Sequence, residues 1–170
     1  MTSYFQWKKI PLGNVAKVIS GFAFKSNDFQ NKGIPIIKIK NIRVGTVDLS
    51  DVEFVEPGFL SLNDKYHVKG GDILISLTGS HLTQPNSVVG RVAIHPPALG
   101  LCLLNQRAGK ITITEPDKCD RLFLFYSLFT DEKRRTIALM ASGAASQANI
   151  SPSQVESVEI LFPPLVTQTK

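Results

Sequence analysis

Cysteine is scarce in this 170-residue chain: Cys102 and Cys119 are the only two, and they are not spaced as C-x-x-C. Two cysteines make no disulfide framework, so both are expected to be reduced and buried as small hydrophobes. The three histidines, His67, His81 and His95, stand apart in sequence without an H-E-x-x-H pair, and no metal is expected. Phosphate-cradling glycine loops are missing as well, since neither G-x-G-x-x-G nor G-x-x-x-x-G-K-[ST] occurs; no nucleotide or other cofactor is expected. No stretch approaches the ~20 apolar residues of a membrane span. The N-terminus lacks a basic run followed by an apolar one, which points to the cytoplasm.

Catalytic constellations are missing in the same way. Asp131-Glu132-Lys133 is the nearest approach to a nuclease-like acidic-x-Lys element, but with Arg134 and Arg135 beside it the run reads as a solvated helical face. The pairs Pro96-Pro97 and Pro163-Pro164 are neither preceded by Asn or Asp nor followed by an aromatic residue, unlike the loop with which methyltransferases grip a flipped base. There is no nucleophile elbow. No catalytic residue is therefore assigned.

What is present is an ordinary globular composition, 43% hydrophobic and 19% charged, in a length that suits one domain with its own core. The net charge of +5 is unevenly spread. Residues 1–50 carry Lys8, Lys9, Lys17, Lys25, Lys32, Lys38, Lys40 and Arg43 against only Asp28 and Asp48. Such a basic segment suits a polyanion, because neutralising phosphates releases condensed counterions.

No internal repeat or low-complexity tract divides the chain. The segment 12–19 reads as a helical turn running into a strand closed by Gly21. Residues 36–40 alternate apolar and basic side chains, which predicts a half-buried strand with Lys38 and Lys40 on one face. Strands are also expected over 72–77, 88–94, 101–104, 110–113 and 158–162, rich in β-branched residues and bounded by Gly, Pro and Asn. From Asp117 to Thr130, Leu122, Phe125, Tyr126 and Phe129 recur at helical spacing and are expected to face the core. A second helix is predicted over 131–140. Ser151-Pro152-Ser153-Gln154 signals a short helix with a capping box. The fold expected is α+β, a strongly twisted, mostly antiparallel sheet with helices packed on one side.

Three polar intervals separate these elements. The longest, 78–87, is rich in Ser, Thr, Gln, Asn and His, side chains that can hydrogen-bond base edges. Asn105-Gln106-Arg107 and residues 142–149 are the others; in the last, small residues would let a backbone approach another surface, although helix termination explains them equally.

Several blocks fall in a distinctive order: Trp7 with Leu12-Gly13-Asn14-Val15-Ala16; Gly21-Phe22-Ala23-Phe24-Lys25-Ser26; residues 33–42; Gly70-Gly71-Asp72 with the following strand to Gly79; Asn105-Gln106; residues 143–151; and Phe162-Pro163-Pro164-Leu165-Val166-Thr167-Gln168. In this order they resemble a target recognition domain of a type I restriction-modification specificity subunit, over nearly the whole chain. The resemblance implies a non-catalytic domain that reads one half of a bipartite duplex DNA target. Methyltransferase subunits, and a restriction and translocation subunit, would be its partners. It further implies that 1–165 is the recognition domain and 166–170 the start of a connection to a spacer helix, lost because the chain stops at Lys170. Thr167 stands where an acidic residue is common in the family. The chain would be a domain excised from a longer subunit, or a trimmed half-subunit.

Two other readings stay open: the recognition part of a fused single-chain restriction-methyltransferase, and a protein-interaction module with an incidental basic face. For DNA binding, Lys25, Lys38, Lys40, Arg43 and Arg107 are the expected phosphate contacts. Ser80, His81, Thr83, Gln84 and Asn86 are the expected base-reading set, with Gln84 and Asn86 suited to adenine.

Overall fold

The structure is a computed structural model that describes residues 7–80, 87–144 and 147–169. Its centre is a five-stranded sheet in the order Ala16–Ser20, Ala108–Ile113, Ile73–Ser76, Val92–Ile94 and Gly45–Thr46. All neighbours in it are antiparallel except the last pair. The two-residue periodicity of the Ile73–Ser76 strand sends its side chains to opposite faces. Ile73 and Ile75 enter one core, and Leu74 enters another.

On the first face lie three helices, α1 (Arg121–Leu128), α2 (Asp131–Met140) and α3 (Pro152–Glu156). Leu124, Phe125 and Leu128 of α1, Ile137 and Ala138 of α2 and Val155 of α3 all pack with Ile73 and Ile75. On the second face lies a four-stranded sheet, Glu53–Val55, Ile34–Ile37, Cys102–Leu104 and His67–Val68. Ile37, Val68, Cys102 and Leu104 meet Leu74 there. The outer face of this sheet carries Ile36, Val55 and Leu103 under an aromatic group of Phe22, Phe24, Phe29 and Phe59. Phe24 meets Phe22 edge-on at 5.0 Å and Phe59 at 5.3 Å. The class is α+β with the helices on one side, as expected, but the strands of the described residues divide among four sheets.

Two small sheets complete the body. Lys8–Pro11 pairs antiparallel with Glu159–Phe162, and the hairpin Ser142–Ala144/Gln147–Asn149 is extended by Thr78–Gly79. A last short helix, α4 (Leu165–Gln168), follows Pro163-Pro164. The Gln168 amide bonds the carbonyls of Lys118 and Pro163, and its oxygen accepts the Asp120 N–H, each at 2.8 Å. The chain is thus fastened to the N-terminal end of α1. No described helix is long and apolar enough to cross a membrane.

Several local expectations hold. α2 spans 131–140, and Ser151 caps α3 in a capping box with Gln154. Both cysteines are free and buried, and burial pushes each thiol up to about 11.

Others are corrected. The strand expected over 36–40 ends at Ile37. Lys38 instead opens a 3₁₀ turn, Ile39–Asn41, because its N–H is taken by the Asn41 side chain. The strand expected from Val88 begins at Val92, after a turn at Gly90 with φ 73°. α1 starts at Arg121, capped by Asp120. Its buried stripe is Leu124, Phe125 and Leu128; Leu122 and Tyr126 are 54% and 62% exposed.

Candidate nucleic-acid interface

Strand registers gather the polar intervals at one end of the molecule. Ile37 pairs with Leu104, Ser76 with Ala108, Ser20 with Gly109, Val92 with Ile75 and Ala93 with Gly45. The segments leaving or entering these strands at that end are 38–44, 77–80, 87–91 and 105–107. Backbone bonds tie them together: Asn105 N–H donates to Ile37, Leu77 N–H to Arg107 and Gly90 N–H to Ser76. The 142–149 hairpin joins the same end, since Ala148 and Asn149 pair with Gly79 and Thr78. Thr78 Oγ1 donates to Asn149 Oδ1 at 2.8 Å.

The hairpin depends on Gly143. Its φ of 137° suits glycine, and a Cβ there would come within 2.3 Å of the Gln147 carbonyl oxygen. Ser142, Gly143, Ala144, Gln147 and Asn149 are exposed.

The expected phosphate contacts fare differently from one another. Lys25 is exposed after the aromatic segment, and Arg107 is exposed at the 105–107 turn. Lys38, Lys40 and Arg43 are all ion-paired within the chain. Lys38 bonds Glu53 and lies over the Phe29 ring, 3.8 Å from its centroid. Lys40 reaches Asp51 at 3.0 Å and Glu53 at 3.3 Å, and Arg43 reaches Asp48 at 3.5 Å. The hydrogen bond from Lys38, aided by Lys40, holds the Glu53 carboxyl below its ordinary value. The bond to Asp51 raises Lys40. The basic excess of residues 1–50 is therefore partly neutralised by the acids at 48–53.

Of the expected base-reading set, Ser80 is at the rim, its carbonyl accepting the Ser87 hydroxyl at 2.6 Å. His81, Thr83, Gln84 and Asn86 lie outside the described residues. Two arginines that sequence reasoning passed over belong to this end. Arg91, read as a strand residue, follows the Gly90 turn and donates from Nη1 to the Ile42 carbonyl at 3.2 Å. Arg134, read as part of a solvated face, donates to the Ser87 carbonyl. A positive φ at Gly90 was the missing signal, and nothing local announces it.

Among the described residues, no three His, Cys, Asp or Glu side chains gather as a metal site. His95 is fully buried, with Nε2 at 2.8 Å from the Gly100 carbonyl, and His67 Nδ1 lies 3.0 Å from Asp64. Both histidines are buried.

Residues 5–170 match the family described as type I restriction modification DNA specificity domain. The MjaVIII type I restriction enzyme specificity subunit of Methanocaldococcus jannaschii is 26% identical over 162 residues, covering 95% of this chain and 37% of that protein. The EcoBI specificity subunit of Escherichia coli is 30% identical over 124 residues, 72% of this chain and 22% of its own length. In structure, the HsdS subunit of Thermoanaerobacter tengcongensis superimposes with a TM-score of 0.67 at 18% identity, over 99% of this chain and 36% of that one. The match thus spans between about a fifth and little more than a third of the length of these relatives.

Proposed function

This chain belongs to the family of type I restriction modification DNA specificity domains, and from that premise we propose that it reads one half of a bipartite duplex target on behalf of catalytic subunits. The domain itself contributes recognition and no chemistry. Methyltransferase subunits would carry the methyl donor and the reacting groups, and a restriction and translocation subunit would join the assembled complex. The cytoplasm is where such a complex meets its DNA. Residues 1–165 form the reading unit, and 166–170 begin the connection to a spacer.

The observation that carries this reading is the convergence of the 77–80, 105–107 and 142–149 segments on one end of the sheet. Exposed Gln, Asn and Ser side chains there match the donors and acceptors of base edges. Gln84, Asn86, Thr83, His81 and Ser80 supply the base-reading set. Lys25 and Arg107 are phosphate contacts available without rearrangement, whereas Lys38, Lys40 and Arg43 must exchange a carboxylate for a phosphate.

That difference gives the test. The chain is titrated with labelled duplex over a range of salt concentrations, where a non-specific Kd of roughly 10⁻⁴ to 10⁻⁶ M at physiological salt is expected. Lys38→Ala should weaken all duplexes alike and flatten the log-log salt slope by about 0.9. Glu53→Gln, which frees Lys38 and leaves Lys40 with Asp51 alone, should tighten binding. Affinity indifferent to salt would refute a phosphate-binding face.

A further inference from the structure

At the foot of the 87–91 segment, where it meets the start of α2, lies a cleft of about 260 Å³. Its walls include Arg91, Arg134, Thr130 and Asp131, with Val44 at the rim and Phe129 among its apolar lining. Both guanidiniums are held from behind by main-chain carbonyls, Ile42 for Arg91 and Ser87 for Arg134. Among the described residues neither forms an ion pair, although Asp131 shares the cleft. Asp131 belongs to the first turn of α2, where free backbone N–H groups favour negative charge.

Arg91 is the more confined of the two. Its Nε is buried and has no acceptor among the described residues. Burial, then the like charges of Arg134 and Arg43, hold its guanidinium below its ordinary value. Two partly buried guanidiniums that share a cleft and form no ion pair among the described residues are costly unless an anion joins them. A guanidinium presents a planar fork of donors that fits phosphate oxygens.

We propose that this cleft is a phosphate site, in which Arg91 and Arg134 grip a phosphodiester of the duplex backbone beside the 80–87 interval. The inference rests on the DNA-binding reading and adds the residues that fix register next to the base-reading interval. It also gives α2 a part in recognition. Arg134 holds the Ser87 end of that interval with one edge and meets the backbone with the other.

Val44 provides a test that leaves the arginines and the core intact, because it lines the cleft and is 67% exposed. The full chain is titrated with a duplex of arbitrary sequence at several salt concentrations. Val44→Glu should weaken binding several-fold. Val44→Arg should tighten it and steepen the log-log salt slope, and Arg91→Gln should make the slope shallower by about 0.9, one phosphate contact. Thermal melting of each variant separates lost contacts from lost fold. Titrations of the three variants that coincide with the parent, while Lys38→Ala still weakens binding, overturn the phosphate site and leave the DNA reading standing; a cleft that takes a partner protein's carboxylate gives this outcome. If the parent chain binds no duplex even at low salt, both fall together.

Discussion

Glu156 joins the last turn of α3 to the edge strand of the central sheet with both of its oxygens. Oε1 accepts the Val18 N–H at 2.9 Å, and Oε2 pairs with Lys17 at 3.0 Å. The Val18 backbone bond first, then Lys17, holds the carboxyl below its usual value of 4.5. A carboxylate depressed by folding contributes stability that is fully present above the unfolded value and is lost as pH falls through the folded one. Acid melting of the parent should therefore contain a step of destabilisation below pH 4.5 that Glu156→Gln lacks. At neutral pH the same change should cost on the order of 1 kcal/mol. Acid-side melting curves with the same slope in both proteins would show that Glu156 is not a titrating tie.

Within the hairpin Ser142–Ala144/Gln147–Asn149, shape and the proposed recognition share one glycine. Gly143→Ala forces a Cβ onto the Gln147 carbonyl at a backbone angle L residues avoid, so the hairpin must open or shift. Only Ala148 of the hairpin's paired residues is buried, so the body should melt nearly as before. In the assembled enzyme the set of methylated sites should broaden or change; an unaltered methylation profile would remove the hairpin from the reading surface. This element was the least legible in sequence, because its stability comes from Thr78–Gly79, with Thr78 and Asn149 71 residues apart. Local signals did better where the partners are local, as at Ser151 and Gln154 of α3. α1 carries two apolar stripes, and periodicity alone could not choose Leu124 and Leu128 over Leu122 and Tyr126. Lys38 satisfied a strand alternation, yet buried Asn41 turns the chain by bonding the distant carbonyls of Asp48 and Asp51, both at 3.0 Å. The charge excess overstates the free positive charge for a related reason: a boundary at residue 50 separates Lys38 and Lys40 from Asp51 and Glu53, which pair with them.

At the scale of the molecule, the absence of a catalytic constellation in the sequence predicts that the chain alone leaves DNA unchanged. Incubation with duplex, Mg²⁺ and S-adenosylmethionine should yield neither labelled methyl groups nor cleaved ends, and transfer that co-purifies with the chain through successive columns would contradict this. The division of labour proposed for the complex has a counterpart inside the domain. Ser87 Oγ bonds the Ser80 carbonyl at 2.6 Å, Arg134 holds the Ser87 carbonyl, and the Gly90 turn returns the chain to Ser76. These fastenings are made by residues on either side of 81–86. On the proposed reading, substitutions in the interval between them change the sequence preference while these bonds are kept, which separates the evolvability of the target from the anchoring of the scaffold.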